Sequence, residues 1–346
     1  MAETRYKVGI DISGGDFAPS EIFKGAVLAK KELSLNIVLI GSQEEIIREA
    51  QKEKVDLNNF EIIDAPQKID MNDEPAMSIR RKKQSSIVVG AVLLKDKKID
   101  AFVSCGNTGA VVSAATIKVG LIEGVERPGI GILLPNLKGA SLIIDVGANI
   151  NPKPLHLLQY GVMASLYYET VFNKPNPTIG LLNIGEEESK GSDFIKTAHR
   201  LFSASSLNFI GNVEAKEVFS GKCDCVVCDG LVGNIALKVS EGVAEMTAKF
   251  LVEAIKKDPL AKLGVFLMKK SLRKFKKTID YAEYGGAPLL GVNGVVIIGH
   301  GRSSSYAVKN AAKVAAQELN RNLLANIRVR LNEICQDSRV REVLAF

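Results

Sequence analysis

The sequence predicts an α/β fold with a mainly parallel sheet and helices on both of its faces. Short apolar runs alternate with helix-like patterns along the whole chain of 346 residues. Strands that are buried on both faces read as continuous apolar runs, and crossover helices separate them along the chain. The composition, 46% hydrophobic and 24% charged, is that of a globular chain, and the length is sufficient for two lobes.

The expected strands are short apolar runs that end at polar or glycine-containing segments. They lie at residues 6–12, 36–40, 60–64, 101–105, 130–134, 141–145, 178–184, 208–210, 225–228 and 295–298. A turn at residues 136–139, which begins with Asn136 and ends with Gly139, joins the fifth of these strands to the sixth.

The expected helices lie at residues 19–33, 78–95, 108–119, 155–171, 234–257 and 304–324, and a polar helix separates the second strand from the third. Pro19 suits a first helical turn because the N–H that it lacks would have no partner there. After about Asn326 no motif is recognised. Since no repeat or linker marks a boundary, residues 1–346 are treated as one unit.

Charge and composition exclude several classes of protein. The net charge is +6, which suits an acidic partner or an anionic surface. Trp is absent and no basic stripe with interleaved aromatic residues occurs, so nucleic acid is not an expected partner. No run of 18 apolar residues predicts a spanning helix. The first residues lack the apolar region of a signal peptide, which predicts a cytoplasmic location.

Five cysteines, an odd number in a chain expected to be cytoplasmic, do not predict a disulfide framework. Cys223, Cys225 and Cys228 lie close together and raise zinc as an alternative. However, Val226 and Val227 separate the thiols, and no second pair of Cys or His follows at zinc spacing. The cluster therefore predicts a buried strand, and no metal site is expected.

Six loops at the ends of predicted strands combine Gly with Asn, Asp or Ser. In open α/β sheets, ligands bind beyond the carboxyl ends of the strands, where helix N-termini attract anions. One such loop is typical of an ordinary turn, but six at successive strand ends predict an anion-binding cleft. The candidate binding residues are Asp11, Gly14, Gly15, Asp16, Asn107, Thr108, Gly109, Asp145, Asn149, Asn183, Gly185, Glu188, Gly191, Asp229, Gly230 and Gly233.

Other well-known sites are not predicted. The sequence has no Gly-x-Gly-x-x-Gly after the first strand with a suitably spaced acidic residue, no P-loop and no Gly-x-Ser-x-Gly elbow. Of the three histidines, His156 and His199 belong to predicted helices. His300 lies between two glycines in one of the six loops, which makes it a candidate for function.

Taken in this order, the loops resemble the acyl-ACP:phosphate acyltransferase family, which makes acyl-phosphate from acyl carrier protein thioesters and inorganic phosphate for phospholipid synthesis. Ser13, Glu186 and Arg302 depart from the residues usual in that family. The matching stretches are GGDFAP at 14–19, DEPAM at 73–77, GNTGA at 106–110, DVGAN at 145–149, NIG at 183–185, EESKG at 187–191, FIGNVE at 209–214, CDG at 228–230, VGN at 232–234, YGGA at 284–287 and GHG at 299–301.

The resemblance implies a fold similar to those of isocitrate and isopropylmalate dehydrogenases and of phosphotransacetylase. It also implies a homodimer, no redox cofactor and peripheral association with a membrane. The implied partners are acyl carrier protein, inorganic phosphate and a downstream glycerol-3-phosphate acyltransferase.

Phosphate is itself a nucleophile, so such a reaction requires positioning and an oxyanion site rather than a Ser or Cys nucleophile. We hypothesise that Lys190, with the backbone around Gly185 and Gly191, holds the negative charge. His300 is the candidate proton donor to the departing thiol. The neutral donors are expected to be Asn107, Thr108, Asn149, Asn183 and Asn234, of which Asn234 is a candidate catalytic residue.

Two basic regions are candidate contacts with partners. The first contains Arg80, Arg81, Lys82 and Lys83 and predicts a contact with the acidic carrier protein, or otherwise a solvated face. The second, residues 259–277, mixes Lys and Arg with apolar residues, as is typical of segments that bind anionic membranes. Its alternative is a helix packed in a dimer interface. The candidate membrane residues are Leu260, Leu263, Phe266 and Leu267.

Three alternative functions remain. A phosphotransacetylase-like enzyme would use short-chain acyl-CoA, and it would need neither basic region. A metal-dependent decarboxylating dehydrogenase would use Asp145 and Asp229 as ligands, but no nicotinamide motif accompanies them. A non-enzymatic scaffold at a membrane surface would leave the six polar loops unexplained.

Overall fold

Eleven strands form one continuous sheet in the computed structural model, which describes residues 6–257, 259–272 and 285–345. Their order across the sheet is β3-β2-β1-β4-β11-β10-β5-β6-β9-β7-β8. The strands are β1 (Lys7–Asp11), β2 (Asn36–Gly41), β3 (Glu61–Asp64), β4 (Ala101–Ser104), β5 (Gly129–Asn136), β6 (Gly139–Ile144), β7 (Ile179–Leu182), β8 (Phe209–Val213), β9 (Cys225–Val227), β10 (Ala287–Leu290) and β11 (Val295–Ile298).

Most neighbouring strands are parallel, which confirms the predicted mainly parallel sheet. The antiparallel pairs are β10 with β11, β10 with β5, and β5 with β6. The sheet therefore consists of two parallel parts. The first contains β3, β2, β1, β4 and β11, the second contains β6, β9, β7 and β8, and β10 and β5 join them.

Helices cover both faces of the sheet, as predicted. They are α1 (Ser20–Leu33), α2 (Gln43–Glu53), α3 (Pro75–Arg81), α4 (Ser86–Lys95), α5 (Thr108–Ala114), α6 (Pro154–Phe172), α7 (Asp193–Ala204), α8 (Gly230–Lys257), α9 (Pro259–Leu267), α10 (Ser305–Asn320), α11 (Leu323–Gln336) and α12 (Ser338–Ala345). Among the described residues, none of these helices has the length and apolar character needed to cross a membrane.

Each part of the sheet has its own packed core. On the first part, α1 and α10 pack together over β1, where Phe23 and Val308 are fully buried. On the second part, α6, α7 and α11 cover one face, and Tyr160 and Phe202 are fully buried there. A third cluster, which includes α4 and α5, extends across both parts on the other side. Burial of these apolar side chains is the main source of stability.

Several predicted boundaries are wrong for identifiable reasons. The helix predicted at 78–95 is two helices, because Ser85 caps α4 by accepting a hydrogen bond from the Val88 N–H. The helix predicted at 304–324 ends at Asn320, and α11 starts after Asn322, which adopts a left-handed conformation. Helix α8 starts at Gly230 rather than at residue 234. Strand β10 and helices α7, α11 and α12 were not predicted.

The cysteine cluster forms a strand, as predicted. Cys225, Val226 and Val227 constitute β9, which is fully buried between β6 and β7. Cys223 and Cys228 flank it and are also buried, and all three thiols are free. Burial raises the pKa of Cys225 and Cys228 well above the ordinary value, so these thiols are protonated and pack as small apolar groups.

Candidate active site

A cavity of about 300 Å³ lies at the carboxyl ends of β4, β6 and β11, opposite the first turns of α8. The backbone of Gly147 and Gly299 and apolar side chains of β5 and β11 form part of its wall. A mostly apolar cavity with a few convergent polar groups is the usual form of a small-molecule site. Its polar side chains are Thr108, Asn234, Lys238, Glu241, His300 and Ser303.

The loop after β6 is built around the buried carboxylate of Asp145. Burial raises the pKa of Asp145 more than the surrounding donors lower it. The side chain of Asn149 is also engaged within the chain, since its Nδ2 donates to the Pro128 carbonyl at 2.6 Å and to the Tyr160 hydroxyl at 2.8 Å. Asp145 and Asn149 therefore shape the loop that brings Gly147 to the cavity. Asp145 accepts from the backbone N–H groups of Ile130 (3.1 Å), Gly147 (3.0 Å), Ala148 (2.9 Å) and Asn149 (2.7 Å).

Helix α8 packs directly against this loop because its first turn contains glycine. A Cβ atom on Gly233 would lie 1.9 Å from the carbonyl oxygen of Asp145, and one on Gly230 would lie 2.5 Å from that of Asn149. Only glycine permits such a close approach of two backbones. The contact places Asn234 over the loop, where its Cβ is 3.7 Å from the position of a Cβ on Gly147.

On the other side of the cavity, the buried carboxylate of Asp11 holds the loops after β1 and β4 together. It accepts from the Ser104 hydroxyl at 2.7 Å and from the Ser13 N–H at 3.1 Å, and burial raises its pKa. Asn107 caps α5 with its Oδ1, and its Nδ2 donates to three backbone carbonyls in the loop before α3. Asp11 and Asn107 thus organise the backbone, while the adjacent Thr108 reaches the cavity.

His300 follows β11 and is half-buried in the cavity wall. Its Nδ1 accepts a hydrogen bond from the Arg302 N–H at 3.1 Å, so the proton of the neutral ring is on Nε2. Burial and the positive charge of Lys238 lower the pKa of His300. The imidazole is therefore neutral at pH 7, and it can donate a hydrogen bond through Nε2 without carrying charge.

The third turn of α8 contributes an ion pair that was not predicted. Lys238 Nζ donates to Glu241 Oε2 at 2.8 Å, and both side chains line the cavity. Both residues fall within the helix predicted at 234–257, but the site was expected in the loops at the strand ends, so side chains further along the helix were missed. A residue four positions after Asn234 on a helix lies on the same face, and that spacing was the signal available in the sequence.

The structure divides the predicted binding residues into three groups. Thr108, Asn234 and His300 line the cavity together. A second group belongs to the same loops and to the start of α8 without lining the cavity: Asp11, Gly14, Gly15, Asp16, Asn107, Gly109, Asp145, Asn149, Gly230 and Gly233. In a third group, Asn183, Gly191 and Asp229 line a separate groove. Gly185, Glu188 and Lys190 belong to the same loop between β7 and α7 without lining the groove.

This groove has a volume of about 1060 Å³ and lies along a different face of α8. Its lining is mainly apolar and comes from β5, β6, the segments after β7 and β8, α7 and α8. Lys190 lies in the loop between β7 and α7, its side chain is exposed, and its carbonyl oxygen accepts from Asn183 Nδ2 at 3.1 Å. Asp229 caps α8 by accepting from the N–H groups of Leu231 and Val232. Lys190 and Asp229 are thus not brought together with His300.

The two basic regions are both at the surface. Arg80, Arg81 and Lys83 are exposed. Lys82 is partly buried, because its Nζ donates to Asp73 Oδ2 at 2.6 Å and to the Lys68 carbonyl at 2.8 Å. In α9, the side chains of three predicted membrane residues are 71–78% exposed, and residues 273–277 of the second region lie outside the described residues. The three are Leu260, Phe266 and Leu267.

Comparison with known proteins identifies the family. A sequence model of the family described as "Fatty acid synthesis protein" matches residues 6–326. The chain belongs to this family. It is 46% identical to the phosphate acyltransferase of Pelotomaculum thermopropionicum over 328 residues, which are 95% of this chain and 96% of that protein. It is 44% identical to the phosphate acyltransferase of Aquifex aeolicus over 332 residues, 94% of this chain and 98% of the relative. The predicted family and the prediction of an acyltransferase are therefore confirmed.

Solved structures support the fold. A phosphotransacetylase of Streptococcus pyogenes has a TM-score of 0.63 at 17% identity and covers 92% of this chain and 95% of its own. A 4-hydroxythreonine-4-phosphate dehydrogenase of Klebsiella pneumoniae has a TM-score of 0.54 at 13% identity, with coverage of 92% and 98%. At these identities the comparisons show similarity of fold alone, and the predicted similarity to phosphotransacetylase is confirmed for the fold.

Proposed function

We propose that this protein transfers a fatty acyl group from an acyl carrier protein thioester to inorganic phosphate, giving acyl-phosphate for phospholipid synthesis. An oxygen of hydrogen phosphate attacks the thioester carbonyl carbon, the carbon–sulfur bond breaks, and the proton of the phosphate ends on the departing thiolate. The observation that carries the proposal is the cavity lined by Thr108, Asn234 and His300, which come from three of the loops shared with the family.

The cavity suits a reaction that depends on positioning. Asn234 and Thr108 offer neutral donors, and the neutral ring of His300 offers an N–H, to an oxyanion that forms at the thioester carbonyl. A neutral imidazole is a weak acid. The role of His300 is therefore to donate a hydrogen bond to the oxyanion rather than to transfer its proton to it. The apolar wall limits competing hydrolysis because it excludes water from the thioester.

Lys190 remains a predicted contact for negative charge. Its loop contains the EESKG stretch shared with the family, and its ammonium group is free to approach an anion that enters from the side of the groove. We expect Lys190→Ala to lower turnover sharply while the melting temperature stays unchanged. Normal turnover in this variant would remove Lys190 from the reaction.

The carrier protein is proposed to dock beside α3. Arg80, Arg81 and Lys83 present exposed positive charge there, which suits an acidic carrier. The loop before α3 also contacts the turn that contains His300, because a Cβ on Gly301 would lie 3.2 Å from the Met71 side chain. A thioester delivered at this surface therefore has a short path to the cavity.

The long helix α8 and the helix α9 are proposed to serve partners. Apolar side chains on the exposed length of α8 suit a second copy of this chain, which would form the homodimer. After α8, the helix α9 exposes apolar residues beside Lys262, Lys269 and Lys270, which suits an anionic membrane surface. The protein would then be cytoplasmic with peripheral membrane association and would pass acyl-phosphate to a glycerol-3-phosphate acyltransferase.

We further propose that the two parallel parts of the sheet form two lobes, as in the isocitrate and isopropylmalate dehydrogenase-like fold. The separate cores of the two parts support this division, and the cavity has walls from both parts.

The decisive experiment measures the release of free thiol by the purified protein. With a long-chain acyl carrier protein, release should require phosphate, and it should be faster than with the matching acyl-CoA. Release from short-chain acyl-CoA alone would instead support a phosphotransacetylase-like activity. No release from any thioester would leave only the scaffold function.

Membrane docking is tested with vesicles that contain anionic lipid. Leu260→Glu combined with Phe266→Glu should abolish sedimentation with the vesicles, because it places two negative charges on the apolar surface of α9. Leu137→Glu is the matched control, since Leu137 is 90% exposed and lies on the turn between β5 and β6. Unchanged binding of the double variant would refute the proposed membrane surface.

A further inference from the structure

Binding of phosphate in the cavity requires positive charge that the predicted residues do not supply there. Thr108 and Asn234 are neutral, and Glu241 is acidic. Burial and the charge of Lys238 hold His300 in its neutral form. An anion transferred into a partly apolar cavity without a cation would lose its hydration with little compensation. Some other group must therefore balance the charge of the phosphate.

Lys238 has the position that this role requires. Among the described residues that line the cavity, it is the one Lys or Arg. It lies four positions after Asn234 on α8, so the two side chains project from the same face one turn apart. The lowering of the pKa of His300 by Lys238 is a second sign that the ammonium group acts on the cavity.

The ion pair of Lys238 with Glu241 does not prevent Lys238 from binding phosphate. Its Nζ donates to Glu241 Oε2 at 2.8 Å, and the side chains are 54% and 28% exposed. Ion pairs with this degree of exposure contribute little to stability. A phosphate dianion offers the ammonium group more charge and more acceptor oxygens than one carboxylate does, so Lys238 can turn to it at little cost.

We infer that Lys238 is the cationic contact for inorganic phosphate in the cavity between α8 and the loops after β4, β6 and β11. Glu241 holds the ammonium group in place while the cavity is empty. Asn234, one turn earlier, is then left to act on the thioester carbonyl. The inference rests on the proposed function, because it names the residue that binds the acceptor of the same reaction.

The test compares three variants by steady-state kinetics. Lys238→Gln should raise the KM for phosphate by about tenfold or more, since one charge-assisted contact is lost, and leave the KM for acyl carrier protein nearly unchanged. Lys238→Arg should restore most of the affinity for phosphate. Lys52→Gln is the control and should behave as wild type, because Lys52 forms a similar pair with Glu49 at 3.5 Å, is 58% exposed and does not line the cavity.

A second measurement separates this inference from the proposed function. Phosphate, compared with chloride at equal ionic strength, should raise the melting temperature of the wild type and of Lys52→Gln but not that of Lys238→Gln. If these thermal shifts are observed but the protein releases no thiol, the assignment of Lys238 to phosphate stands and the proposed reaction is rejected. An unchanged KM for phosphate, an equal thermal shift in Lys238→Gln, or an increased KM for the carrier protein alone would overturn the inference.

Discussion

The first two turns of α8 and the turns that follow them belong to one helix but have different surroundings. At the start, Gly230, Gly233 and Leu237 are buried against the Asp145 loop and the third core cluster. Further along, Val243 and Phe250 are 51% and 64% exposed, and the helix extends away from the sheet. The start of α8 is fixed by contacts within the chain, whereas its remaining length is available to another molecule.

The difference shows how one helix can serve two purposes. Where the backbone of α8 meets that of the Asp145 loop, the helix carries glycine, whose side chain is a single hydrogen atom. This contact positions the adjacent Asn234. Where no backbone is near, the helix carries apolar side chains that no described residue covers. Exposed apolar surface of this extent usually marks an interaction site.

The largest effect is expected when alanine replaces a glycine at the start of α8. Gly233→Ala should abolish activity and lower the free energy of unfolding by about 1–3 kcal/mol, because the Cβ overlaps the Asp145 carbonyl oxygen. Gly242→Ala adds the same methyl group to the same helix with no atom within 4 Å, and it should stabilise the protein by up to about 1 kcal/mol. Thermal unfolding and turnover measure both effects. Equal behaviour of the two variants would contradict the distinction between the two regions.

A smaller loss, confined to catalysis, is expected from Asn234→Ala. We expect kcat to fall by about 10²–10³-fold, as for other donors to an oxyanion, with an unchanged melting temperature. Thr247→Ala is the control on the exposed part of α8, where the hydroxyl group donates to the Val243 carbonyl at 2.8 Å. A normal kcat for Asn234→Ala would mean that the cavity side of α8 has no direct part in the reaction.

The partly buried position of His300 in the cavity wall predicts that the stability of the protein depends on pH. Its pKa is lowered in the folded protein, so the unfolded chain binds a proton more readily below about pH 6.5. The contribution of His300 to stability is therefore complete above that pH and decreases as the pH falls through the folded pKa. His300→Gln should remove this decrease, and it should lower activity at pH 7 by roughly tenfold through loss of the ring donor. An identical pH profile of stability in both proteins would exclude the assigned environment.

Helix α10 packs on β4 and α1 and contains a buried carboxyl group, that of Glu318. Its substitution is expected to have the smallest effect on catalysis. Burial raises the pKa of Glu318 to about 8, and its Oε1 has no hydrogen-bond partner among the described residues. The folded state binds the extra proton, so stability is greatest at acidic pH and decreases as the pH rises through about 8. Glu318→Gln should raise the free energy of unfolding by about 1 kcal/mol or more at pH 8 and change it little at pH 5.

The control for this prediction is Glu333→Gln on α11, because Glu333 is exposed and pairs with Arg330 at 3.2 Å. Both variants should keep normal turnover. A stability difference at pH 8 that is the same for Glu318→Gln and Glu333→Gln would show that burial of Glu318 is not its cause.

The sequence was sufficient to predict the alternation of strands and helices and the loops that surround the cavity. It was not sufficient to distinguish the roles of chemically identical side chains. Asn107 and Asn149 are engaged with backbone carbonyls, whereas Asn234 lines the cavity, and all three occur in similar Gly-containing stretches. Which amide remains available depends on tertiary contacts between segments that are distant in sequence.

Two features of the structure were missed for different reasons. Lys238 lies within the helix predicted at 234–257, but the site was expected in the loops at the strand ends, so a helical side chain that lines the cavity was missed. Ser85 was not recognised as a cap, so α3 and α4 were merged. Capping contacts decide where a helix begins, and they involve single polar side chains that hydrophobic periodicity does not detect.

The position of β11 has a consequence for the order in which a newly synthesised chain matures. Strands β1 and β4 form early in translation, but β4 pairs with β11, and β10 then connects to β5. Until residues 287–298 leave the ribosome, β4 and β5 both present unpaired edges, which are prone to aggregation. His300 follows β11 closely in the chain. A nascent or truncated chain that ends before His300 therefore does not contain the complete cavity. We therefore expect incomplete products of translation to be inactive.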